Sequence, residues 1–110
     1  MTRQQIFTKV KRHLLKQNSK CIGHRGDCLY LDPSTGRKCA VGCLIPKRLY
    51  RTSFECHGVD EVFDNSPALR KHIGAKNIPL LEELQDLHDQ RQPSEWKTQL
   101  HELAIKWRLK

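Results

Sequence analysis

Apolar residues recur every three or four positions from Arg3 to Gln17, where Ile6, Phe7, Val10, Leu14 and Leu15 share one face of a predicted helix. Lys9, Lys11, Arg12, His13 and Lys16 fill much of the remaining circumference, so its outer face is strongly basic. Asn18 and Ser19 end the helix, and KCIGHRGD, with two glycines and few apolar residues, reads as a loop. The pattern then changes: CLYL reads as a short strand. The turn formers of DPSTG, Asp32 to Gly36, send it back through RKCAV, which predicts one small β-hairpin near residues 28–42. The apolar run from Cys39 to Ile45 fits a buried strand end or the first turns of a buried helix; the reading adopted is a hairpin, then a helix.

Pro46 suits the first turn of a further short helix continued by KRLY, and Thr52 to Gly58 reads as irregular. VDEVF predicts one or two helical turns. SPALRKHIG is a compact helix signal, with Ser66 as N-cap, Pro67 at the first position and Gly74 as the stop. Leu80, Leu81, Leu84, Leu87 and His88, and then Trp96, Leu100, Leu103, Ala104 and Trp107, recur at helical spacing on either side of QRQP. These predict an antiparallel helical hairpin over about residues 77–109, with both tryptophans facing the core. The expected fold class is mainly α (α+β), four to five short helices with the one hairpin, in a single small domain spanning residues 1–110.

Length supports that division, since 110 residues make one modest core and leave no room for a separate catalytic lobe. The apolar run at Cys39–Ile45 is far short of the roughly 20 residues of a membrane helix, and MTRQQIFTKVKRH has no signal-type apolar region. A soluble, cytoplasmic protein without membrane contact is expected, and in that compartment the five cysteines would stay thiols. Charge is divided unevenly. Met1 to Arg51 carries twelve Lys and Arg against two acids, and Thr52 to Lys110 eight against ten. The basic N-terminal half, residues 1–51, therefore favours a polyanion or an acidic protein surface.

Gly36, Lys38 and CAVGCLIP, preceded by CLY and followed by LQDLHD and a tryptophan after a PS pair, carry a family resemblance. The chain resembles a family of small, largely uncharacterised bacterial and phage-borne proteins that share GxKCAxGCLIP and LQxxHD over most of their length. The resemblance implies no activity. It implies a phage-type protein that works by occupying a surface of host machinery. Its members place acidic residues after the LIP proline, where this chain has Lys47 and Arg48, which disfavours a helix start there by about 0.3–1 kcal/mol each.

Three roles are open to the cysteines. As a structural zinc site, Cys28, Cys39 and Cys43 take His24 as the preferred fourth ligand, with Cys21, Cys56, His57 and His88 as other candidates. As a hydrolase, Cys39 or Cys43 is the nucleophile and His88 the base, oriented by Asp89 or Asp86. Asp89 is poorly placed for this, because neighbours on a helix point about 100° apart. As packing, the thiols are small buried hydrophobes and Gly42 permits close backbone approach, so no cofactor is needed. Packing is the preferred reading. His13, His72 and His101 read as solvated surface residues, and Glu82, Glu83, Asp86 and Asp89 as a solvated acidic face.

No phosphate loop, dinucleotide fingerprint or HExxH is present, so an ordinary cofactor enzyme is disfavoured. The expected binding residues are Lys9, Lys11, Arg12, Lys16, Arg37, Lys38, Lys47, Arg48 and Arg51. They suit a host protein with an acidic surface first, and nucleic acid second, with Tyr30 and Tyr50 as the available stacking residues. A helix-turn-helix over SPALRKHIG and KNIPLLEELQ is disfavoured because its second helix is acidic.

Overall fold

In the computed structural model, which describes all 110 residues, helix α1 spans Arg3–Gln17 as its polarity predicts. Thr2 and Gln5 cap it reciprocally: the Thr2 hydroxyl accepts the Gln5 N–H at 3.1 Å, and the Gln5 side chain accepts the Thr2 N–H at 2.9 Å. Asn18 ends it in the left-handed conformation, at φ 49°. Ile6, Phe7, Val10 and Leu14 are buried, and Leu15 stands at the edge of the packed face.

The predicted β-hairpin near residues 28–42 does not form; there is no strand or sheet, only the isolated bridges Ile22–Cys28 and Leu31–Lys38. The turn itself is real. The Asp32 carbonyl accepts the Gly36 N–H at 2.8 Å, and the Asp32 carboxylate accepts the Ser34 N–H at 2.9 Å. What is missing is a longer ladder: the Asp32 N–H donates to the Arg37 carbonyl at 2.9 Å and the Cys39 N–H to the Tyr30 carbonyl at 3.3 Å, and the pairing stops there because the Tyr30 N–H that would extend it goes to a distant side chain. Glu55 accepts the N–H groups of Tyr30 and Leu31 at 2.9 and 3.2 Å, and Gln17 accepts the Lys38 N–H at 3.0 Å. The Lys38 carbonyl takes Gln17 and His13, each at 2.9 Å. With these groups satisfied in this way, no further pairing is required of them.

The chain continues through single 3₁₀ turns at Gly42–Leu44, Lys47–Leu49 and Thr52–Phe54, so the helix expected after Cys39 and the one at KRLY are each one turn long. Helix α2 is Val59–Asp64. The one-turn α3, Pro67–Leu69, starts at Ser66, whose hydroxyl accepts the Leu69 N–H at 3.3 Å. It runs on as a π-turn, Arg70–Gly74, and Gly74 at φ 102° breaks the direction, as its predicted role requires.

Helices α4, Ile78–Gln90, and α5, Pro93–Trp107, are antiparallel, since Glu83 early in α4 bonds Lys106 and Trp107 at the end of α5. Trp96 is fully buried. Trp107 is only half-buried and instead lies under the Arg3 guanidinium, 5.1 Å from its ring centre. The 23 buried apolar residues form a single cluster drawn from every part of the chain. No helix is long and apolar enough to cross a membrane.

Candidate functional site

The CLY, CAVGC and LQDLHD stretches meet in one wall. The Val41 N–H donates to the Gln85 side chain at 3.1 Å, and the Cys39 N–H to the Tyr30 carbonyl at 3.3 Å. Gly42 lies so close to Tyr30 that a Cβ on it would sit 1.9 Å from that carbonyl oxygen. The close approach expected of Gly42 is thus backbone against backbone.

Behind this wall His88 is fully buried, its ring stacked on Trp96 at 5.6 Å between centres. The Cys21 N–H donates to His88 Nε2 at 3.0 Å. That nitrogen's lone pair is therefore engaged, so the ring proton sits on Nδ1, which donates to Asp89 Oδ1 at 2.7 Å. Gln85 donates to the same oxygen at 3.0 Å. The expectation that Asp89 is poorly placed to pair with His88 is overturned here. Nδ1 is the ring nitrogen nearest the backbone, and the short Asp89 side chain folds back to reach it. Burial works to raise the Asp89 carboxyl, but the bonds from His88, the Cys28 thiol and Gln85 outweigh it and hold the group below its ordinary range.

The Cys28, His88 and Asp89 ligand atoms lie within 4.8 Å of one another, the only such gathering in the chain. It does not suit a metal, because one His88 nitrogen is accepting from Cys21 and the other carries the proton, leaving no imidazole lone pair for an ion. The expected zinc set is corrected as well. Cys39 is fully buried with its sulfur accepting the Gly42 N–H at 3.2 Å, and Cys43 donates to the Ala40 carbonyl at 3.1 Å. His24 stands exposed on its loop and Cys28 faces Asp89, so the four are not brought to one point.

The activated thiol is not formed either. Burial raises Cys39 far above the ordinary thiol range and Cys43 to about 12, while burial and the Asp89 carboxylate raise Cys28 to about 11. The proposed base, His88, has no free nitrogen to receive a proton.

Beside the wall, a cleft of about 280 Å³ runs between Cys28–Tyr30, the turn at Cys56–Val59 and α4. Glu82 and Asp86 line it as exposed carboxylates, as the acidic-face reading expects, whereas Asp89 belongs to the network and Glu83 to the α5 contact. Glu55 escaped the sequence reading. It organises Tyr30, Leu31 and also Tyr50, whose hydroxyl it accepts at 2.6 Å. Tyr30 is buried with its hydroxyl on the His57 carbonyl at 2.7 Å, so neither tyrosine stands free as a stacking platform. His13 is half-buried rather than solvated, its ordinary value lowered chiefly by burial, whereas His72 and His101 are exposed.

The basic residues lie on the outside. Lys9, Lys11, Arg12 and Lys16 stand exposed on α1, and Arg37 faces Lys16 across a shallow depression. Lys38 is half-buried, with its backbone held by α1. Lys47, Arg48 and Arg51 are exposed on the turns after Pro46, apart from the depressions along α1. None of the twelve Lys and Arg of residues 1–51 has a carboxylate within 4.0 Å; every ion pair in the molecule joins residues between His57 and Lys106. Comparison with models of known protein families, with curated protein sequences and with solved structures finds no match.

Proposed function

We propose that this protein is a non-enzymatic binding module that presents its basic N-terminal half to an acidic macromolecule, a protein of host machinery in the phage-type setting that the motif resemblance implies. The observation that carries the reading is the unneutralised charge of that half. Exposed cations without a carboxylate partner raise the local potential, speed encounter with an acidic surface and make the association sensitive to salt. Three depressions along α1 have basic residues and no Asp or Glu in their walls. The Cys28–His88–Asp89 network supports the reading from the other side, because its hydrogen bonds fasten α4 to the Cys21 loop and leave no group poised for chemistry.

Retention of partners from bacterial lysate, with and without nuclease and over a range of salt, tests the reading. A discrete protein retained after nuclease, and lost when Lys9, Lys11, Arg12 and Lys16 are replaced by Glu, is the expected result. Recovery of nucleic acid alone overturns the protein assignment, and retention indifferent to the four replacements overturns the role of the basic half.

A further inference from the structure

Thr8, Lys11, Arg12 and Leu15 recur at i, i+3, i+4 and i+7 on α1, forming one exposed stripe. Together with Phe7 and Lys110 they enclose a groove of about 260 Å³ between α1 and the segment that follows α5. Its composition is mixed in a particular way. Leu15, one of the few large apolar side chains left exposed, at 36 %, lies between cations, and α1 contains no acidic residue to neutralise them. The Lys110 backbone is held against α1 by Gln4, which accepts its N–H at 2.8 Å and donates to its carbonyl at 3.3 Å.

Resting on the reading above, we infer that this groove is the docking site for an acidic amphipathic helix of a partner protein, whose apolar stripe covers Leu15 and whose carboxylates meet Lys11, Arg12 and Lys110. Charge complementarity selects the acidic face, and the exposed leucine selects the apolar one. A phosphodiester backbone supplies only the charge. The fold narrows the mode of binding: without a strand there is no sheet edge for a peptide to extend. A helix laid along a helix fits instead, with anchors at the spacing of the stripe itself.

The test is a fluorescence-anisotropy titration of the full chain with a labelled, designed peptide of the length of α1, glutamate on one face and leucine on the other. Comparators are a peptide with the leucines replaced by serine, polyglutamate and duplex DNA. The amphipathic peptide is expected to bind, with affinity falling about tenfold on replacing its leucines and by a similar factor in Leu15→Ser, a change at an exposed site that leaves the core intact. Lys11→Glu with Arg12→Glu should abolish binding of every acidic probe. If charge reversal abolishes binding but neither leucine change alters it, or if DNA binds as tightly as the amphipathic peptide, the helix-docking inference is wrong while the basic face survives. If charge reversal changes nothing, the reading of the basic half fails with it.

Discussion

Gly42→Ala tests the contact around which the CLY, CAVGC and LQDLHD stretches assemble. The new Cβ would lie 1.9 Å from the Tyr30 oxygen, 2.8 Å from its carbonyl carbon and 3.2 Å from its Cα. Ordinary contact begins near 3.4 Å, so the overlap is about 1.5 Å, and it is with backbone that cannot swing aside. Tyr30 is also held by Glu55, by the Cys39 N–H on its carbonyl and by its hydroxyl on His57. Making room breaks the Cys39 bond and leaves a buried N–H unpaired, at about 1–3 kcal/mol, with about 1–3 kcal/mol more for overpacking. Reduced freedom of the unfolded chain returns about 0.4–1 kcal/mol. The net expectation is a loss of about 1–5.6 kcal/mol.

Urea unfolding followed by tryptophan fluorescence reads this as a midpoint lower by roughly 0.7–3.7 M, for a slope near 1.5 kcal/mol/M. Gly58→Ala is the control, because its Cβ meets only the Asp60 side chain, at 2.9 Å, on an exposed and movable residue. It should lose less than about 1 kcal/mol. A Gly42→Ala protein as stable as its parent, or no less stable than the control, would refute the backbone-contact argument.

The buried network makes two further predictions. His88→Ala leaves the Cys21 N–H unpaired and empties the space of a ring stacked on Trp96, so it should cost about 4 kcal/mol or more; thermal unfolding unchanged from the parent would contradict the fastening role. Asp89→Asn keeps an acceptor for His88 and Gln85 but removes the charge, and should cost about 1 kcal/mol at pH 7. Because the folded carboxyl is held below its ordinary range, its contribution is present above the unfolded pKa, about 3.9, and is lost as pH falls through the lower folded value. The gap between parent and variant should therefore close in acid, and a gap constant from neutral pH into acid would show that the charge contributes nothing.

Local pattern carried much of the helical reading, because helix boundaries depend on nearby residues. Thr2 and Gln5 start α1, Ser66 and Pro67 start α3, and the leucines of LLEELQDL face inward whatever they meet. The hairpin failed for the opposite reason. DPSTG makes its turn and two cross bonds, but Glu55 takes the Tyr30 N–H that would extend them, and a side chain that bonds a backbone 25 positions away leaves no periodic trace. The site was half legible. Cys28, Gln85, His88 and Asp89 stood in noticed motifs, yet the proton on His88 is assigned only by the Cys21 N–H, which lies 67 positions away in sequence.

The amino-acid sequence alone determined the periodic helices, the turn residues and the separation of charge into a basic first half, since each follows from residue type and near neighbours. Tertiary structure decided which backbone groups side chains would satisfy, left the His88 nitrogens with no lone pair for metal or proton, and set Lys110 beside Leu15 on α1. Those outcomes depend on the pairing of groups far apart in the chain, where hydrogen-bond satisfaction and close packing select one arrangement from many that local preference permits.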